Sequence, residues 1–161
     1  MPVPPVNASP PEKKLPELDV AALFHSILFA YQKVLRDAAG EGPAQTITTL
    51  TVPVVREIVE RASPGLLEGN PDDVLNRVAD LLKNSGFVRD VEIEKNDQKY
   101  VLRCQGCTFA EHVHNMLKPE DVTCPWAIFM TAALQSASKH KMKVNRSEFD
   151  PSGSKTTIEF I

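Results

Sequence analysis

Cysteine is scarce, with three in 161 residues, too few for the disulfide lattice on which many small secreted domains depend. A chain of this length can instead bury about two-thirds of its unfolded surface and stand on a hydrophobic core. Long apolar runs are missing too. The nearest, Val20 to Tyr31, is interrupted by His25 and Ser26 and falls short of the ~20 residues needed to cross a bilayer. No charged start leads into an apolar core and cleavage site, so neither secretion nor anchoring is expected, and a cytoplasmic location is. Nor is there an excess of positive charge. Eighteen basic against 21 acidic side chains leave a net charge of −3, which argues against a general phosphate-binding surface and against nucleic acid as a partner. Phosphate-cradling glycine loops and serine-nucleophile signatures are likewise absent.

What is present begins with prolines 2, 4, 5, 10, 11 and 16. They remove amide donors and fix φ, so residues 1–18 are expected to form a flexible arm and residues 19–161 a single domain. Asp19 stands where a helix cap should, ahead of Val20, Phe24, Ile27, Leu28, Tyr31, Val34 and Leu35 at helical spacing. Leu23 and Phe29 widen that apolar stripe beyond what one neighbouring element covers, so a second buried contact is expected, either more core or another subunit. A second helix is predicted from about Val52 to Ala62, with Thr51 as cap and Pro53 in its first turn. The third carries Asn70 as cap, Pro71 at its first position and a stripe of Val74, Leu75, Val78, Leu81 and Leu82.

The period then changes from helical to alternating. Phe87, Val91 and Ile93, then Tyr100, Leu102 and Cys104, flank Asn96-Asp97 as a β-hairpin. A short helix follows over about Thr108 to Leu117, a long one from Cys124-Pro125 to about Lys139, and a closing hairpin of Met142 to Phe149 and Lys155 to Ile161. The predicted class is α+β, an antiparallel sheet of two hairpins packed against about five helices.

All three cysteines fall within 21 positions, in a window that also contains His112 and His114. Cys104 and Cys107 have the two-residue gap that lets two thiolates reach one metal ion, with Gly106 allowing the tight turn between them. Cys124 precedes Pro125 at the start of the long helix, where unpaired amides and the helix dipole favour a thiolate. On a helix His112 lies nearer the apolar face of Phe109, Val113, Met116 and Leu117, while His114 shares the polar side with Glu111, Asn115 and Lys118. Cys104, Cys107, His112 and Cys124 are therefore expected to form a closed, structural zinc site. Redox-active thiols, an iron–sulfur cluster and buried unliganded cysteines stand as the alternatives.

Helices followed by a hairpin, Cys104-Gln-Gly-Cys107 at the strand end, Thr123-Cys124-Pro125-Trp126 opening a long helix, and a closing hairpin around Pro151-Ser-Gly-Ser154 make residues 45–161 resemble the 4-vinyl-reductase-like domain family. That superfamily also includes core subunits of the TRAPP vesicle-tethering complex. The resemblance implies an α/β domain without catalytic machinery that binds a small hydrophobic molecule or a partner, commonly dimerises, and often carries a cysteine-rich metal site. Many members have another cysteine pair in the final hairpin. Here Asp150, Ser154 and Thr156 stand there instead, leaving the central cluster as the ligand set.

The long helix supports ligand binding independently, since Ala127, Ala132, Ala133 and Ala137 leave space beside Trp126, Phe129 and Met130. The expected function is a non-enzymatic module that binds a hydrophobic small molecule or lipid, with Trp126, Phe129, Met130 and Ala133 as ligand-binding residues. It is expected to carry structural zinc and to form a homodimer, or pair with a related subunit, through the Val20–Leu35 helix. The alternatives are a TRAPP-like assembly subunit and a thiol oxidoreductase using Cys104 and Cys107. His112→Ala should lower zinc affinity strongly and His114→Ala should not, as read by metal analysis of protein purified without added zinc.

Overall fold

The alternation that marks both hairpins becomes a four-stranded antiparallel sheet of β1 (Asp90–Asn96), β2 (Lys99–Gln105), β3 (Met142–Asp150) and β4 (Gly153–Phe160), in the order β1-β2-β4-β3. The computed structural model describes the backbone at residues 20–97, 99–108, 110–117 and 122–161, and within these the side chains at all but residues 20–22, 24, 25, 111, 112 and 116. The expected arm of residues 1–18 lies outside the described residues.

Because side chains alternate across a strand, one face of the sheet collects the apolar set. Val91, Tyr100, Leu102, Cys104, Met142, Val144 and Ile158 are buried on it. The opposite face is polar and laced with cross-strand pairs, among them Arg103–Glu94 and Lys155–Glu148, both at 3.4 Å, and Gln105 Nε2 donating to Glu92 at 2.8 Å. Such exposed pairs contribute little stability. Their role is to keep this face in water, and the helices all cover the other.

Five α-helices provide that cover: α1 (Val20–Ala39), α2 (Glu41–Ala62), α3 (Pro71–Asn84), the one-turn α4 (Ala110–Val113) and α5 (Pro125–Ser138). The α+β architecture predicted from the pattern is the one observed. α5 is central, packing against α2, α3 and β3. Ala127, Ala132 and Ala133 are fully buried there, so their small side chains bring backbone close to backbone while Met130 and Leu134 fill the core. α5 ends at Lys139, which adopts the left-handed conformation with φ 60°.

α3 matches its punctuation, with Asn70 Oδ1 accepting from the amides of Asp72 and Asp73 at 3.1 and 3.0 Å. Of its expected stripe, Val74, Leu75, Val78 and Leu82 are buried, while Leu81 is 40% exposed. The sheet lies beneath only part of the stripe.

α2 begins eleven residues before the expected Val52, at Glu41, and carries Pro53 in its interior. The proline and the run of threonines both argue against helix there. Tertiary burial outweighs them, since Val52 is completely enclosed in the core. The hydroxyls of Thr46, Thr48, Thr49 and Thr51 each donate to the carbonyl four residues earlier, so threonine is accommodated without leaving helical geometry. α1 and α2 are separated only by Gly40, at φ 84°.

The fourth helix is shorter than predicted. After Val113 the chain tightens into a 3₁₀ turn over His114–Met116.

Gly153 opens β4 opposite Gln105, and a Cβ there would lie 1.9 Å from the Cys104 carbonyl oxygen. Gly153→Ala must push β4 from β2 where the two hairpins join. It is expected to cost about 2 kcal/mol or more, measured as a lowered urea midpoint.

Candidate functional site

A mostly apolar cavity of about 340 Å³ lies where α1, α2, the start of α5 and β3 meet. Its volume is at the small end of the ~300–1,000 Å³ typical of small-molecule sites. Leu28 and Leu35 line it from α1, Ala44 and Val55 from α2, and Val122 and Ile128 from the approach to α5 and from α5 itself.

A β-bulge builds the sheet side of this cavity. Val144 pairs with Ile158 and Ser147 with Thr156, so three steps on β3 match two on β4, and β3 carries one extra residue. The interruption turns backbone groups away from the ladder. The Val144 carbonyl accepts from Gln45 Nε2 on α2, and the Ser147 amide donates to the Val122 carbonyl at 3.1 Å. Arg146, within the bulge, lines the cavity and pairs with Glu41 at the start of α2.

Gln32 fixes the opposite wall. Its Nε2 donates to the Thr123 carbonyl at 3.0 Å and its Oε1 accepts from the Thr123 amide at 2.9 Å. One side-chain amide thus completes both backbone groups of a residue that no strand or helix pairs.

Beside the cavity wall lies the thiol cluster. Cys104, on the inner face of β2, is in hydrogen-bonding contact with Cys124 at the cap of α5, and Ser154 from β4 reaches both. The Cys124 amide donates to Ser147 Oγ at 2.7 Å, and Ser147 Oγ lies 2.5 Å from Thr156 Oγ1. A hydroxyl from the sheet therefore satisfies the buried amide of the α5 cap residue. The Cys124 thiol is pulled below its ordinary value by the Cys104 thiol first, with the Ser154 hydroxyl and the Trp126 and Ala127 amides adding to it. The Cys104 thiol is pushed up by Cys124 beside it and by burial.

Cys107 is also buried, its amide donating to the Ser152 carbonyl at 3.2 Å after the turn at Gly106, φ 59°. Cys104 is acted on most strongly by Cys124, with Cys107, the other member of its CxxC, contributing as well. Among the described residues, no group of three or more histidine, cysteine, aspartate and glutamate side chains is arranged to hold a metal ion. The side chain of His112, expected as the fourth ligand, lies outside those described.

His114 does not lie on the polar side as helical phasing predicted. The 3₁₀ turn changes its direction, and it is buried with its ring 4.9 Å from that of Phe149 and 6.0 Å from that of Phe29. Its Nδ1 is 3.1 Å from the Asp150 carbonyl oxygen.

None of the four expected ligand-binding residues lines the cavity. Trp126 stacks on Phe87 with centroids 4.8 Å apart. Met130 and Ala133 are fully enclosed in the core, and Phe129 packs against it. Leu28, Tyr31 and Leu35 of the wide α1 stripe do reach the cavity. Gln32 and Gln45 carry no sequence signal, and Arg146 reads in sequence as one more cation after the long helix.

The crystal structure of the phenol-responsive sensory domain of the transcription activator PoxR with phenol superposes with a TM-score of 0.48 and 16% sequence identity, over 84% of this chain and 74% of that chain. No family model and no curated protein matches the sequence. No helix among the described residues is long and apolar enough to cross a membrane.

Burial holds the His114 imidazole below its ordinary value of 6.5, with the carbonyls of Asp150 and Gly153 and the Asp150 carboxylate opposing. The unfolded chain takes up this proton first, so the stability it confers is full above pH 6.5 and falls as pH drops from there through the lowered folded value. The Asp150 carboxyl is held below 3.8, chiefly by the Ser152 hydroxyl, and loses its share only at still lower pH. The urea midpoint should therefore fall between pH 7.5 and pH 5, and His114→Gln should flatten that difference.

Proposed function

We propose that this chain is a binding module for a small, predominantly apolar molecule, held in the cavity between α1, α2, α5 and β3. The observation that carries this reading is the cavity itself: about 340 Å³, walled mainly by aliphatic side chains, with a few polar groups fixed by hydrogen bonds to backbone. That combination of apolar lining and pre-ordered polar groups is what a small-ligand site requires. Among the described residues lining it none forms a nucleophile with a base, and the reading is of binding rather than turnover. Membership of the 4-vinyl-reductase-like family belongs to the same proposal, supported by Cys104-Gln-Gly-Cys107 at the end of β2 and Thr123-Cys124-Pro125-Trp126 at the start of α5.

Two further parts of the proposal have their own supports. Pairing of two copies through α1 is supported by Leu23, Ile27, Leu28, Tyr31 and Val34, all exposed, beside exposed Leu50, Val54 and Ile58 of α2; an apolar surface of that extent is uncommon on a monomer. Zinc held by Cys104, Cys107, His112 and Cys124 is supported by the contact between the Cys104 and Cys124 thiols in one buried cluster. Sedimentation of Val54→Glu and metal content of His112→Ala test these parts separately from ligand binding.

The main test is calorimetric titration with 1-octanol as an apolar probe. Saturable binding at one site per chain is expected, with a thermal shift equivalent to about 2.7 kcal/mol at a hundredfold excess over Kd. Ala44→Phe, which fills the cavity from α2, should lower affinity at least about tenfold while leaving the fold intact by circular dichroism. Absence of saturable binding, or binding untouched by Ala44→Phe, would overturn the reading.

A further inference from the structure

Charge inside the cavity narrows the class of molecule it suits, on the reading that the cavity is a binding site. We infer that the ligand is a small monocarboxylate, its apolar tail among the aliphatic walls and its carboxylate on Arg146.

Among the described residues, Arg146 is the one charged side chain lining the cavity. Its side chain is 13% exposed, whereas that of its partner Glu41 is 73% exposed. The guanidinium meets the Glu41 carboxylate through one terminal nitrogen and the Glu41 carbonyl, at 3.3 Å, through the other. Five N–H donors in a rigid fork exceed what these two contacts use. Their natural complement is a carboxylate, which can accept two parallel hydrogen bonds.

The other described side-chain donors around the cavity are neutral, and most of them already make a hydrogen bond to backbone. Gln45 Nε2 donates to the Val144 carbonyl and Gln32 Nε2 to the Thr123 carbonyl. The hydroxyls of Thr48, Thr51 and Thr123 donate to the carbonyls of Ala44, Ile47 and Asn145. Beyond the largely exposed Tyr31 and the second N–H of each glutamine amide, Arg146 is the described donor that also brings a charge and a fork of N–H groups to an incoming head group. A single positive charge matches a monoanion and leaves half of a phosphate dianion uncompensated.

Glu41 acts as the resident counter-ion. It stands in the first turn of α2, mostly in water, so its carboxylate can return to solvent with little desolvation change when a ligand carboxylate takes its place. The partly buried arginine is then never left unpaired, which would be the costly state. An alcohol has no such exchange to make. It gains one hydrogen bond and leaves the Arg146–Glu41 pair as it was.

Calorimetric titration with octanoate and with 1-octanol separates the possibilities. Octanoate is expected to bind at least about tenfold tighter, the difference a charge-assisted pair makes. Glu41→Gln, at an exposed position, should tighten octanoate severalfold and leave octanol unchanged. Arg146→Gln should abolish the preference for octanoate while octanol still binds. Octanol binding as tightly as octanoate, or octanoate indifferent to Glu41→Gln, would overturn the carboxylate assignment while leaving the cavity as a binding site. If neither probe binds, both fall.

Discussion

A single extra residue in β3 governs how the rest of the molecule fits together. β3 is the edge strand of the sheet, and the bulge interrupts its pairing with β4 between Val144 and Ser147. The bulge redirects the Val144 carbonyl and the Ser147 amide. One now anchors α2 through Gln45, and the other anchors the segment that leads into α5 through Val122. The same shift sets Ser147 under the Cys124 amide, completing the helix N-terminus against the sheet. The cavity lies between those anchors, one a side-chain reach from α2 and the other a direct backbone hydrogen bond to the segment before α5.

The helical layer divides accordingly into two parts with different physics. α3 and α5 lie in the main core, where Leu75, Leu82, Met130 and Leu134 are almost wholly enclosed. α1 is attached more sparingly. Phe29 is its one fully buried side chain among those described, in a small separate cluster with Val113 and Val122, and Gln32 supplies the polar link. Much of its remaining apolar stripe is exposed. Local opening free energies follow burial and contact density, so α1 is the wall of the cavity with the lowest cost of displacement, and access for a ligand is most economically explained by its movement.

How far this was legible in sequence depended on the range of the interactions involved. Strands showed themselves because one face is buried and the other solvated, which leaves a period of two in the chain. α3 showed itself because Asn70 and Pro71 are local capping chemistry. The early start of α2 was hidden, since Pro53 and four threonines argue locally for a break and only burial of Val52 against distant elements overrides them. The thiol cluster was half legible: spacing brought out Cys104, Cys107 and Cys124, but which thiol meets which depends on how β2 and α5 are juxtaposed. His114 was misplaced because a helical wheel assumes 3.6 residues per turn, and the chain tightens to 3₁₀ there. The cavity was the least legible feature. Its polar groups, Gln32, Gln45 and Arg146, come from three elements, and a bulge that leaves no mark in the local sequence aims the last of them.

The segment Thr123-Cys124-Pro125 makes the cavity and the core interdependent. Thr123 and Pro125 line the cavity, while Cys124, between them, is buried against Cys104 and Ser147. Successive residues of an extended segment point to opposite sides, so three residues serve both sites without a change of direction. A molecule that presses on Thr123 or Pro125 therefore bears on the cap of α5, and α5 is packed too closely, alanine against backbone, to adjust by a fraction of an ångström in isolation. The compliant side of the cavity is α1, joined to this segment by one glutamine amide and a small aromatic cluster. Occupancy should accordingly be transmitted outward, to the position of α1 and its exposed apolar stripe, rather than inward to the thiols.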